Sequence, residues 1–289
     1  MLIRTLDASA LLSARRQLDR VYTPNTIAPV NEINCKPNDP AAIVSNAANT
    51  ALRKAGHFLN EAEFRDSLLK ELVSLESCKR ECPAVFGPAS VSAPKPPPPF
   101  QPKDVCEVRG YRKVDLVAKL DSEFVAIELK FSRLSNWKGS FREKPLPNPT
   151  RSDVVAYGFL KDIHRMERLT KVVFGAQCVV PRYRVCALLS NNQFETENRN
   201  LHERMHLRSR TLPAEHLVQF NEWQKNRKPT SPNTLWRDYP PFRLAQSYVL
   251  SWQHIDVDPK NFTPAANERR PYPPFQLLVV NVSFVGEAA

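Results

Sequence analysis

Several things are missing from this 289-residue chain, and each absence narrows what it can be. No segment reaches the roughly 18 uninterrupted apolar residues that cross a bilayer as a helix, so no membrane partner is expected. The opening stretch, MLIRTLDASALLSARRQLDR, is broken by charge too often to form a signal-peptide core, which makes the cytoplasm the expected location. The six cysteines (35, 78, 82, 106, 178 and 186) follow no regular spacing, which argues against a disulfide framework. CKREC (78–82) offers two metal or cluster ligands, but no second matching pair follows it. Cys106, Cys178 and Cys186 lie in apolar stretches and read as buried thiols, so all six are expected to be reduced and structural. Glycine is scarce, 7 residues against 26 prolines.

What is present is a composition of ordinary solubility, 42% hydrophobic and 25% charged, with length for one large domain or two modest ones. The net charge of +11 favours a polyanionic partner, because phosphates reward clustered Lys and Arg. The spacing predicts a helix over 60–77, with Asn60 as N-cap, Glu61 and Glu63 in the first turn, and an apolar stripe of Phe64, Leu68, Leu72 and Leu75. Residues 83–102 carry eight prolines and read as a polyproline II spacer, not a helix or central strand; at ~3.1 Å per residue, 94–102 would cover about 28 Å. Strands are expected at 104–111, 113–120 and 124–133, a second helix over 152–171 with Ser152 as N-cap, and a buried strand at 183–192. Three consecutive strands between two helices predict a mixed sheet. The resulting division is an N-terminal extension (1–59), a core (60–192), and a β-rich aromatic and basic region (193–289) packed on it, with an apolar strand at 275–284.

KVDLVAKLDSEFVAIELKFSR (113–133) places Asp115, Glu128 and Lys130 inside apolar strands. Glu128 and Lys130 share a face by strand alternation, and antiparallel pairing of the two strands brings Asp115 near Glu128. Two carboxylates about 5 Å apart repel by roughly 3 kcal/mol at an effective dielectric of 20, so without a counterion one tends to stay protonated. A hard dication such as Mg²⁺ or Mn²⁺ removes the conflict. Lys130 would then orient a water or stabilise charge developing on a phosphate.

This pattern, with its helix–three strands–helix–strand order over 60–192, resembles the PD-(D/E)XK phosphodiesterase superfamily of restriction endonucleases and repair exonucleases. The resemblance implies an α/β fold with an αβββαβ core and a metal-dependent nuclease acting on DNA or RNA, DNA being the preferred expectation. It implies Asp115 and Glu128 as metal ligands, the Leu129 main-chain carbonyl as a third, and Lys130 as the catalytic lysine. It also implies an acid from the first helix: Glu63 first, with Glu61 and Glu71 as alternatives. Val114 stands where the motif often has proline, and Asp153 and Tyr157 stand where the exonuclease branch often has Gln-x-x-x-Tyr. Defence, mobile-element and repair roles all fit, as does a homodimer or a protein partner.

Two competing readings accompany this one. A non-catalytic nucleic-acid-binding subunit would keep the fold without the chemistry. HERMH (202–206) matches the zinc-peptidase pattern, with His202 and His206 as ligands and His216 or Glu222 as a third. Against zinc, Arg204 sits inside the motif, and residues 205–210 alternate as a strand with His206, Arg208 and Arg210 on one basic face. That face, with Lys225, Arg227 and Lys228, is expected to contact the phosphate backbone. Trp236, Tyr248 and Trp252 read as framework aromatics before base-stacking platforms.

Overall fold

The computed structural model describes residues 39–73, 77–87, 112–120, 122–133, 139–141, 144–145, 152–191, 207–219, 239–255, 257, 261–266 and 272–285. The chain enters through α1 (Pro40–Ala55), whose ends are marked chemically: the Asp39 side chain accepts from the Ala41 N–H, Pro40 occupies the first turn, and Gly56 closes the helix at φ 76°. This helix was not anticipated in a segment read as an irregular extension. The predicted helix at 60–77 forms as α2 (Glu61–Val73), burying Phe64, Leu68 and Leu72. The third helix, α3, runs Ser152–Met166 and buries Val155, Phe159, Ile163 and Met166.

An eight-stranded mixed sheet organises the rest, in the order β13-β15-β8-β3-β2-β1-β6-β7. Its strands are β1 (Cys78–Phe86), β2 (Arg112–Leu120), β3 (Glu123–Ser132), β6 (Leu169–Phe174), β7 (Gln177–Val179), β8 (Tyr183–Ser190), β13 (Trp252–Ile255) and β15 (Phe275–Asn281). Short peripheral strands are β4 (Gly139–Phe141), β5 (Lys144–Pro145), β9 (Arg210–Leu212), β10 (His216–Val218), β11 (Phe242–Leu244), β12 (Tyr248–Leu250) and β14 (Phe262–Pro264). Only β3 and β8 pair in parallel; the sheet's other neighbours are antiparallel. One face packs against α3 and the other against α1 and α2, giving two apolar cores, one on each side.

The helix, three-strand meander, helix and parallel strand occur in the expected order, but the first strand is different. It is 78–86, whereas the strand expected at 104–111 lies outside the described residues. Residues 83–86, assigned to the proline spacer, are therefore strand. Pro83 is tolerated because pairing with β6 begins only at Ala84, so no ladder bond is asked of its nitrogen on that side. The second helix stops at Met166, not 171. Thr170, Val172 and Val173 suit a pleated ladder better than a helix, and they form the hairpin of β6 and β7. The sheet also crosses the expected boundary at 192, since β15 pairs with β8 along Gln276–Asn281.

Two departures from regularity shape the centre. Residues two apart on a strand normally share a face. Yet Cys78 packs on the α1/α2 side while Cys82 and Ala84 lie in the α3-side core; likewise Leu116 and Ala118 face one core and Val114 the other. Both strands reverse their pleat at the facing positions Glu81 and Asp115, where Arg80 pairs with Leu116 and Cys82 with Val114 on either side. The reversal is made by Glu81, at φ 49°. It also separates the CKREC cysteines to opposite faces, so they do not converge as ligands. Burial pushes the Cys78 thiol up to about 12, and Cys82 adds to the rise. Cys186 is buried as expected, whereas Cys178, read as buried, is exposed on the β6–β7 hairpin.

The second departure is a fork. Pairing between β2 and β3 ends at Leu116 and Ile127. Beyond it, β2 stays with β1 as far as Arg112, and β3 stays with β8 as far as Ser132. The strands separate where Asp115 and Glu128 stand.

Candidate active site at the strand fork

At the fork the edge of β3 loses its backbone partner, and carboxylates take over. The Leu129 N–H donates to Asp115 Oδ2 at 2.9 Å. The Phe131 N–H donates to Glu61 from the first turn of α2. Since the N–H and C=O of one strand residue point to the same side, the Leu129 carbonyl lies on this same edge, between the two carboxylates. Glu128 and Lys130 face the other way, toward α3. There Lys130 Nζ lies 3.1 Å from Asp162 Oδ2 and 3.8 Å from Glu61 Oε2. Arg165, one turn on from Asp162, holds Glu128 Oε1 and Asp162 Oδ1, each at 3.0 Å. Its guanidinium also donates to the Lys113 carbonyl at 3.2 Å and lies over the Phe86 ring. Arg65 of α2 approaches Asp115 Oδ1 at 3.5 Å.

The electrostatics follow from burial. Glu128, only 6% exposed at its side chain, is pushed well above the usual carboxylate range by desolvation first and then by Asp162, against the pull of Arg165. The neighbouring Asp115 carboxylate adds to the rise, as an adjacent like charge does. Burial likewise raises Glu61, partly offset by Lys130. Desolvation pulls the Lys130 ammonium down, but Asp162 and Glu61 outweigh it and the net shift is upward, so Lys130 is a fixed cation. Cys186, paired in register with Glu128, is fully buried beneath this cluster; burial and the carboxylates Asp162 and Glu128 keep its thiol neutral.

Asp115, Glu128, Leu129 and Lys130 are thus brought together, while Glu63 is not. Its carboxylate accepts the Leu59 N–H at 2.8 Å and its own N–H donates to Asn60 Oδ1 at 2.9 Å, a variant of the capping box in which the carboxylate reaches the residue before the N-cap and which occupies Glu63 structurally. Glu61, the weighed alternative, is the acid of that helix at the fork, and Glu71 pairs with Lys54 at 2.8 Å. Asp162 and Arg165 were missed. They flank the apolar stripe of α3, and the shared face of Glu128 and Lys130 was the signal that polar residues of a covering helix must meet them. Tyr157 is buried and donates to the Pro240 carbonyl at 2.7 Å, a framework role.

The donor set fits a hard dication in its chemistry: two neighbouring carboxylates, Glu128 buried and Asp115 half-buried, beside a main-chain carbonyl on a strand edge that β2 has left. Among the described residues no group of three or more His, Cys, Asp or Glu side chains is arranged to hold a metal, so Asp115, Glu128 and the Leu129 carbonyl would have to hold it together with water.

The expected phosphate-contacting face is only partly described. His206, Lys225, Arg227 and Lys228 lie outside the described residues, as do His202 and Glu222 of the zinc reading. Arg208 is exposed, but the strand begins only at Arg210, and Arg210 is half-buried with its Nε shielded, so the alternation expected over 205–210 is not a continuous basic strand. His216 sits on β10 opposite Leu244. Tyr248 and Trp252 are framework aromatics, donating to Glu167 Oε1 at 2.8 Å and to the Leu207 carbonyl at 2.6 Å. No described helix is long and apolar enough to cross a membrane. Compared with known proteins, the chain matches no family model, no curated protein and no solved structure.

Proposed function

We propose that the chain is a Mg²⁺- or Mn²⁺-dependent nuclease that hydrolyses phosphodiester bonds, DNA being the preferred substrate, with a PD-(D/E)XK-like core. One observation carries the reading: the sheet opens at Asp115 and Glu128, and the strand edge it frees is lined by carboxylates and the Leu129 main chain, with Lys130 alongside. Asp115, Glu128 and the Leu129 carbonyl would hold the ion. When bound, such an ion supplies Lewis acidity toward a phosphoryl oxygen and lowers the pKa of a coordinated water. Lys130 acts as a fixed positive charge on a phosphate oxygen and not as a base, because Asp162 and Glu61 keep it protonated. Asp162 fixes the ammonium in place, and Arg165 fixes Asp162 and Glu128 relative to each other.

The Arg165 clamp on Glu128 favours a second reading, a nucleic-acid-binding subunit without cleavage, since an arginine already satisfies a ligand the reaction needs. The pure full-length chain, incubated with mixed DNA and RNA oligonucleotides in Mg²⁺, Mn²⁺ or EDTA, separates the two. Asp115→Asn, Glu128→Gln and Lys130→Ala should each abolish a metal-dependent cleavage while the far-UV spectrum stays unchanged. Undiminished cleavage by Asp115→Asn would show the site to be misassigned; binding without cleavage in any metal would establish the second reading.

A further inference from the structure

We propose that Arg65 and Lys113 form a phosphate clamp next to the fork, and that the Glu81 carboxylate occupies it in the free protein as a stand-in for a substrate phosphate. The proposal rests on the nuclease reading for its substrate class.

Glu81 faces Asp115 across the β1–β2 register, and its carboxylate is gripped from two sides. Arg65 reaches Oε1 at 3.2 Å and Lys113 Nζ reaches Oε2 at 3.0 Å. Arg80 adds a third positive charge nearby, itself held by Asp66 at 3.0 Å. The same Arg65 guanidinium lies 3.5 Å from Asp115 Oδ1, so a single planar group bridges the Glu81 carboxylate and a proposed metal ligand. A nucleic acid presents its anions in series. A phosphate seated where Glu81 lies would neighbour the phosphodiester at the fork, and the planar guanidinium with an adjacent ammonium suits its oxygens.

The backbone strengthens the case. Glu81 makes the pleat reversal at φ 49°, a conformation unfavourable for a side chain with a Cβ. Glycine would make the same reversal without steric conflict, so what the position gains from Glu is the carboxylate. Glu81 and Lys113 are both exposed, and an exposed ion pair contributes little to stability; the Glu81 carboxylate serves instead as counter-charge to Arg65, which is only 19% exposed, a duty that a phosphate can take over. Exposure also leaves the clamp open to a strand arriving from solvent. Substrate binding would exchange one anion for another, with Glu81 turned outward into water.

The test is binding of fluorescein-labelled mixed-sequence DNA, single-stranded and duplex, by the full-length chain in EDTA over a salt series. Glu81→Gln and Glu81→Gly should both tighten binding at low salt by about threefold or more, because each removes the competing charge. Lys113→Gln should weaken binding and flatten the log–log salt slope by about 0.7 for single strands or 0.9 for duplex. Lys119→Gln, further along the same strand away from the fork, should leave the slope unchanged. Binding unaltered in both Glu81 variants, or a slope change in Lys119→Gln equal to that in Lys113→Gln, overturns the clamp, as does failure of the wild-type chain to bind either DNA at low salt. The nuclease reading is judged separately. Cleavage lost in Asp115→Asn alongside unmoved binding in the clamp variants sinks the clamp alone, and the predicted binding pattern without cleavage in any metal sinks the nuclease reading alone.

Discussion

Acid should unfold this protein through two histidines, and the size of the effect can be worked out for one of them. His57 follows the αL cap of α1 and is 3% exposed. It is enclosed by Phe131, Phe141, Phe262, Tyr272 and Phe275, with ring centroids 5.0 to 6.3 Å away. Tyr272 Oη lies 3.4 Å from its Nδ1, and its Nε2 is buried with no hydrogen-bond partner among the described residues. Burial first, and then the charge of Arg133, lower it from 6.5 to about 3. A histidine depressed in the folded state binds its proton more readily when unfolded. It therefore contributes stability that is complete above about 6.5 and is lost as pH falls toward about 3. Each pH unit in that window removes about 1.4 kcal/mol, so at pH 5 the loss from His57 is about 2 kcal/mol. His164, stacked on Phe242 and likewise lowered to about 3 by burial and by Arg168, should add a similar amount. Glu128, raised in the folded state, acts in the opposite direction, so the clean observable is a difference between proteins. Urea unfolding of wild type and His57→Leu from pH 7 to 5 should show the variant losing about 2 kcal/mol less stability over that range, nearly all of it below about pH 6.5. Parallel stability curves for the two proteins would refute the reasoning.

Other consequences are accessible to simpler measurements. Glu167 Oε1 accepts the Ala245 and Gln246 N–H groups and the Tyr248 hydroxyl, so Glu167→Ala should cost about 3 kcal/mol or more in chemical denaturation while Glu167→Gln, which keeps an acceptor, costs about 1. Equal losses would mean the acceptor is unimportant. Asp162→Asn should release Lys130 from its counter-charge, lowering the alkaline limb of the cleavage pH profile by about one unit, and an unmoved limb would remove Asp162 from the site. If the proposed ion binds at the fork, replacing Mg²⁺ by Ca²⁺ should retain binding but slow turnover, while His202→Ala should alter neither; stoichiometric zinc lost in that variant would revive the peptidase reading.

What could be read in the sequence, and what could not, divides along physical lines. β2, β3, β8 and β15 are long apolar runs, and α2 and α3 carry clear apolar stripes. The clustering of Asp115, Glu128 and Lys130 was legible because charged residues inside apolar strands need a reason to be there. β1 was hidden because its sequence, CKRECPAVF, mixes charge with a proline and reverses its pleat at Glu81, which erases the alternation that marks a strand. α1 was hidden because Ala and Asn dilute its stripe, although Asp39-Pro40 and Gly56 were its start and stop signals. Glu61 and Glu63 could not be ranked by spacing alone, since both fall in the first turn; only the capping box distinguishes them. Asp162 and Arg165 required knowing which helix covers the face that Glu128 and Lys130 share.

The position of β15 governs how the chain can be made and handled. Residues 275–281 lie between β8 and β13, so a strand made late fills a place beside one made much earlier in the chain. During synthesis β8, buried from Arg184 to Ser190, must wait with one edge open until residues 275–281 have emerged. An apolar strand with an unpaired edge invites another chain to complete it. A fragment cut at the apparent domain boundary of 192 should therefore be recovered as aggregate, and co-expression of 193–289 should rescue its solubility by supplying the missing strand in trans.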